Sequence, residues 1–285
     1  MLRVRPWGPL LVLFLLLALL HYTTVTLLPS PTRPQNGGAT QNRRPAVPAA
    51  ENKPRCNRTH AIRFAHIAKN AGTSIEDAFW QRGVCVGRFS GLRASASCAS
   101  WHVPPRRAPA IYCGAAVVFC VVRDPIERFV SAFRHHKYRR RKMQHFRHGR
   151  ECDSADLNAY VLKQLDRRNG MVKNMSIGSP EGCHLLAQTA YLHPNLGGAG
   201  GPCGCAHALR QDTLDADLGR FARHHGLGAV TLGRSNSRPG CALAPSDLSD
   251  AARRAVETAY ADDIRIYAAL AAAPYDPNAA AAAVD

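Results

Sequence analysis

Within "HIAKNAGTS", residues 66–74, a lysine, a glycine and two hydroxyls stand between a short apolar run and a stretch with helical spacing. Lys69 offers a point charge, Gly72 lets the backbone come close to a ligand, and Thr73 and Ser74 add donors. The amides of residues 71–74, at a helix N-terminus, would face the same spot as the positive end of the helix dipole. That chemistry is anion binding. In the nucleotide triphosphatase loop GxxxxGK[ST] the lysine follows the glycine; here it precedes it, so ATP hydrolysis is not the natural reading. On loop chemistry alone, a solvated turn lysine and a helix-entry glycine explain the stretch equally well.

A second stretch, "AAVVFCVVRDPIERFVSAF", places Arg123 directly after a continuous β-branched and aromatic run, Ala115 to Val122. Such a run marks a central parallel strand, and open α/β sheets place their ligands at the carboxyl ends of those strands. Asp124 can cap the following helix and Pro125 can occupy its first position; Ile126, Phe129, Val130 and Phe133 form its buried face. Ser131 lies two turns in, off that apolar stripe.

The elements that must hold these residues follow from the same patterns. Residues 61–68 predict a buried strand, and Thr73 or Ser74 then caps a helix through Ile75, Ala78 and Phe79. The fold class is α/β, a P-loop-like central parallel sheet flanked by helices on both faces, with the phosphate-binding loop after its first strand. Residues 61–273 are long enough for one domain with a real core, and residues 274–285 are a low-complexity tail.

The N-terminus sets the compartment. Residues 1–6 carry Arg3 and Arg5, and residues 7–28 are apolar over a length that can cross a bilayer. The arginines are expected to stay cytoplasmic, which makes the segment a signal anchor and puts the rest of the chain in the lumen. A cleavable signal peptide is the alternative, although no small-residue cleavage site follows. Residues 29–60, rich in Pro, Asn, Gly and Ala, form a flexible stem. Ten cysteines argue for disulfides in that compartment. Cys203 and Cys205, in "PCGC", lack the second ligand pair that a four-ligand zinc site needs. Asn57 and Asn174 open glycosylation sequons. A net charge of +17 calls for a polyanionic partner, and in a lumen that is an acidic glycan or an anionic nucleotide rather than nucleic acid.

Taken in order, "HIAKNAGTS" resembles the 5′-phosphosulfate-binding loop, and "VRDPIERFVSAF" the 3′-phosphate-binding segment, of the membrane-anchored carbohydrate sulfotransferases of the Golgi, which use 3′-phosphoadenosine 5′-phosphosulfate. "LRQDTLDADLGRF" is similar to that family's Arg-x-acidic-x-Leu helix, "LGRSNSRP" to its Asn-containing loop, and "AYADDIRIYAAL" to its closing Tyr-x-x-Asp helix. The sequence departs at Asn70-Ala71, where many members carry Thr-Gly or Thr-Ala. The resemblance implies sulfuryl transfer to a hydroxyl of an acidic or neutral glycan, without a metal, by a single-pass type II protein of the Golgi membrane. It assigns Lys69, Asn70, Ala71, Gly72, Thr73 and Ser74 to the 5′ side of the donor and Arg123 and Ser131 to its 3′-phosphate. Lys69 would stabilise charge on the leaving phosphate.

An acceptor hydroxyl needs a general base. His102, in "ASWHVPPRR" between the two nucleotide segments, is the preferred candidate, with Glu76 and His66 as competitors. His66 also fits a satisfied buried histidine, and Glu76 a first-turn carboxylate serving the helix dipole. Residues 134–150, "RHHKYRRRKMQHFRHGR", contain no carboxylate. They are either a solvated charge run or, through Arg139, Arg140, Arg141 and Lys142, an attractor for an anionic polymer. Two other classes stay open. A Golgi glycosyltransferase would use Asp215-Ala216-Asp217 for a metal, but helical spacing around that string predicts a surface helix. A catalytically inactive glycan-binding protein would keep the same basic loop.

Overall fold

A computed structural model describes residues 61–87, 100–143, 152–166, 182–233 and 241–281, with residues 138–143 given by their backbone alone. The expected tail, anchor and stem (residues 1–60), Asn57, Asn174 and most of the "LGRSNSRP" loop lie outside the described residues. No described helix is long and apolar enough to cross a membrane.

Three strands, β1 (Ile62–Phe64), β2 (Val117–Val122) and β3 (His207–Arg210), form a parallel sheet in the order β1-β2-β3. Phe119 of β2 stands opposite Phe64 on one side and His207 on the other. The central position explains the unbroken apolar run, because both faces of β2 are covered. Val118, Cys120 and Val122 enter one core and Phe119 and Val121 the other, following the two-residue period of a strand. The second core packs against α1 (Gly72–Trp80) through Ile75 and Phe79 and against α4 (Leu214–His224) through Leu218 and Phe221. The first core packs against α2 (Pro125–Met143), α3 (Ser154–Asp166), α5 (Asp250–Ala259) and α6 (Ala261–Ala271). Helices therefore cover both faces, as the pattern of the two segments predicts.

Both predicted strands are longer than the observed ones. The Ala65 amide still donates to Phe119 O at 2.8 Å, but the Ile67 amide turns back to Ala65 O at 3.0 Å, so the chain leaves the sheet to form the loop. At the start of β2, the Ala115 amide is used by Tyr112 O at 3.1 Å to finish a preceding helical turn. The helix start also differs from expectation. Neither Thr73 nor Ser74 caps α1; its N-cap is Ala71, which has no side-chain cap bond. Left-handed backbone at Lys69 (φ 72°) and Ala71 (φ 59°) tightens the turn, so the helix opens at Gly72 and both hydroxyls fall inside its first turn. At α2 the predicted cap is present: Asp124 Oδ1 accepts from the Glu127 amide at 2.9 Å.

Disulfides join Cys113 to Cys203, Cys120 to Cys205 and Cys152 to Cys241, and none of the described cysteines is free. Cys203 and Cys205 thus go to different partners. The Cys120–Cys205 bond ties the central strand to the segment entering β3. Among the described residues no group of side chains could hold a metal ion.

Candidate active site

The loop after β1 and the end of β2 meet. Arg123 Nη1 donates to Lys69 O at 3.3 Å, while Arg123 Nε and Nη2 reach Glu127 Oε2, each at 3.3 Å. The two segments singled out in the sequence are therefore neighbours at the carboxyl edge of the sheet. Asn70, fully buried, points inward: its Nδ2 donates to Val121 O at 2.7 Å and to Gln188 Oε1 at 2.6 Å. Its side chain ties the loop to the sheet.

Beneath the loop, His66 Nδ1 and Glu76 Oε1 lie 3.0 Å apart, both buried. A carboxylate only accepts, so the pair holds the imidazole with its proton on Nδ1. The expectation of a satisfied buried histidine fits this arrangement. Glu76 falls beyond the first turn of α1, which holds no acidic residue, and its buried carboxylate faces His66. Gly72 is needed for close approach: a Cβ there would lie 2.2 Å from His66 Nε2.

His102 ends a short 3-10 turn, Ser100–His102, and is buried. Its ring centroid stands 4.6 Å from that of His66 and 5.2 Å from that of His184, with His135 a further 4.7 Å from His184. Burial pushes its pKa well below the usual 6.5, and the neighbouring His66, His184, His135 and Lys69 push in the same direction. Its Nδ1 is buried without a hydrogen-bond partner, and its carbonyl accepts from Tyr191 Oη at 2.6 Å. The adjacent Trp101 is exposed, 5.9 Å from the His102 ring. A neutral imidazole beside the Lys69 loop can take a proton.

Ser131 is half-buried on α2. One turn on is Arg134, which the sequence reading placed in the basic run and not beside the donor. Burial lowers its pKa, the charge of Arg123 adds to that, and its Nε is buried without a partner. The carboxylates of Asp247 and Glu127 pull the other way.

Sequence reasoning also missed the framework behind the site. Arg128, buried on α2, donates from Nε to Ala68 O at 3.1 Å and from Nη2 to Leu186 O at 2.6 Å and His184 O at 3.2 Å. Asp263 accepts from the Gln188 and Thr189 amides at 2.8 and 2.9 Å. Tyr260 Oη donates to Leu185 O at 2.7 Å. The Tyr-x-x-Asp string was the only signal for this group, and it carried no hint of its partners.

Two further expectations fall on described residues. At the start of the basic run residues 134–137 are half-buried: α2 continues to Met143, Lys137 pairs with Asp156 and lies over Phe133, and His136 packs on Tyr160. The side chains of Arg139, Arg140, Arg141 and Lys142 are outside the described residues. Asp215-Ala216-Asp217 does lie on a helix, but Asp217 is buried, accepting from the Arg210 amide, Thr213 Oγ1 and Arg220 at 3.0, 2.8 and 2.6 Å. Its oxygens are engaged by the protein rather than presented to a metal.

Residues 55–175 match the model of the sulfotransferase family. The match takes in the loop after β1, His102, Arg123 and Ser131, and supports sulfuryl transfer as the class of reaction. It ends before Gln188, β3 and Asp263. No curated protein and no solved structure matches the chain.

Proposed function

We propose that this protein transfers the sulfuryl group of 3′-phosphoadenosine 5′-phosphosulfate to a hydroxyl of a glycan. The observation that carries the reading is the Arg123 Nη1 bond to Lys69 O at 3.3 Å, which joins two segments suited to the two phosphates of one nucleotide. The fit rests on the loop itself: left-handed turns at Lys69 and Ala71 lead into a helix whose first-turn amides have no side-chain cap. Residues 71–74 would hold the 5′-phosphate through those amides and the hydroxyls of Thr73 and Ser74. Arg123 and Ser131 would hold the 3′-phosphate. When bound, the donor supplies an activated sulfuryl group and a phosphate leaving group.

The chain's own residues do the rest. Lys69 stabilises the negative charge that grows on the leaving phosphate oxygen. His102, kept neutral by burial and by the neighbouring histidines and Lys69, accepts the proton of the acceptor hydroxyl. The Glu76–His66 pair packs against both Gly72 and the His102 ring and so holds loop and base in one geometry. The net charge of +17 favours an acidic acceptor, and Arg139, Arg140, Arg141 and Lys142 are assigned to its recruitment. Residues 7–28 are assigned as the anchor of a type II Golgi membrane protein.

Labelled donor, offered with a panel of neutral and acidic glycans, tests the reaction, and labelled sugar nucleotides in parallel test the glycosyltransferase alternative. Calorimetry tests the donor. 3′,5′-adenosine bisphosphate should bind far better than 5′-AMP, since each charge-assisted bond to the extra phosphate contributes about 1.5–3 kcal/mol. Neutralising Arg139, Arg140, Arg141 and Lys142 together should raise KM for an acidic glycan, leave donor affinity alone, and matter less as salt rises.

A further inference from the structure

We infer that the buried side-chain amide of Gln188 sets the spacing between the two donor-phosphate segments, so that a nucleotide carrying both a 5′- and a 3′-phosphate binds cooperatively through it. The inference rests on the donor reading above. Gln188 lies on a short 3-10 turn, Gln188–Ala190, that belongs to neither segment.

The amide is used from both sides. Its Oε1 accepts from Asn70 Nδ2 at 2.6 Å and from the Arg123 amide at 3.0 Å, and its Nε2 donates to Arg123 O at 2.8 Å. One side chain thus grips the loop through Asn70 and the end of β2 through both backbone groups of Arg123. Three direct contacts also join the segments: Asn70 Nδ2 to Val121 O at 2.7 Å, Arg128 Nε to Ala68 O at 3.1 Å, and the longer, partly exposed Arg123 Nη1 to Lys69 O; only Gln188 holds Arg123 through both of its backbone groups. The grip has its own anchor, because the Asp263 carboxylate of α6 holds the Gln188 and Thr189 amides at 2.8 and 2.9 Å. Gln188 is 2% exposed, so these bonds are sheltered from bulk water in the folded protein.

The functional consequence follows from where ordering cost falls. With the bracket intact, the loop and β2 stand at a fixed span before any ligand arrives. Without it, a ligand that touches both segments must order one against the other out of its own binding energy. A ligand that touches the loop alone is spared that cost. Loss of Gln188 should therefore weaken the bisphosphate selectively, although Arg123 and Ser131 are untouched. Glutamate cannot replace the amide, since it offers no donor to Arg123 O, and asparagine is one methylene too short to reach both partners.

The test is the ratio of affinities for 3′,5′-adenosine bisphosphate and 5′-AMP, measured by calorimetry on wild type, Gln188→Ala and Gln188→Met. Gln188→Met keeps the side-chain volume while removing its bonds to Asn70 and Arg123, and carries the test if Gln188→Ala does not fold. In both variants the ratio should fall by about tenfold, with 5′-AMP affinity nearly unchanged. A ratio equal to wild type in a folded variant overturns the inference and leaves the donor reading standing. Equal weakening of both ligands also overturns it, because the bracket would then only stabilise the fold. A wild-type ratio near one removes the donor reading and this inference with it.

Discussion

Lys69 and His102 are coupled through charge, since the ammonium is one of the groups that depress the imidazole pKa after burial and the three histidines. The sign is definite. A base with a depressed pKa stays neutral below pH 6.5, so the acid limb of kcat/KM for the glycan should lie below that value. Replacing Lys69 by Ala should lower turnover by about 10²–10³-fold, the usual effect of deleting one preorganised group facing transition-state charge. It should also move the acid limb of the residual activity upward, because one cause of the depression is gone. Donor affinity should change much less than turnover. Stopped assays across pH 4.5–8 on wild type and Lys69→Ala, a range spanning roughly two units about an ordinary histidine, read both effects.

At the scale of elements, the junction between β1 and α1 works because its glycine has no side chain. The His66 ring cannot yield easily to a new Cβ 2.2 Å from Nε2, being held by Glu76 and packed on Phe64 and His102. Gly72→Ala should therefore cost about 1–3 kcal/mol, the usual range for overpacking a filled interior. Thermal unfolding measures this, and the displaced helix N-terminus should weaken nucleotide binding in parallel. An unchanged Tm with normal binding would show that the ring moves aside.

For the whole molecule, the central strand is fastened to its neighbour covalently. Cys120 and Cys205 are 85 residues apart in sequence and fully buried, so their bond restricts a long loop in the unfolded chain. Because the Cys113–Cys203 bond already closes nearly the same loop, replacing Cys120 and Cys205 by Ala should lower stability by about 2–3 kcal/mol, read by denaturant unfolding without reductant. A second global effect concerns His207, buried in β3 with its Nδ1 2.8 Å from Tyr275 Oη. Burial, then His225 and His224, lowers its pKa from 6.5 to about 4. The folded state thus binds fewer protons than the unfolded state between those values. Its contribution is complete above pH 6.5 and is lost as pH falls towards 4. His207→Gln should flatten the slope of stability against pH in that window, as urea midpoints at several pH values would record.

How far the sequence alone reached depends on the range of the interactions involved. The parallel α/β fold was legible because β2 is apolar at every position, a local consequence of burial on both faces, and the Asp124-Pro125 cap is written in adjacent residues. The strand-turn-helix junction was legible for the same reason, since a short apolar run, a glycine and a helix-spaced stretch follow one another within a few residues. The start of α1 was not, because left-handed backbone at Lys69 and Ala71 is imposed on residue types that give no local sign of it. Asn70 looked like a ligand-facing residue and is a buried tie to Val121 and Gln188, partners 51 and 118 positions away. Arg128 stood only inside "VRDPIERFVSAF" and Asp263 only at the end of the Tyr-x-x-Asp string, with no partner assigned to either. Only the packing of α2 and α6 against the sheet buries them, and a buried charge must then find backbone partners, which no periodicity records. The disulfide map belongs to the same class: Cys203 and Cys205 are two residues apart, and what separates their partners is the path of the chain between β2 and β3.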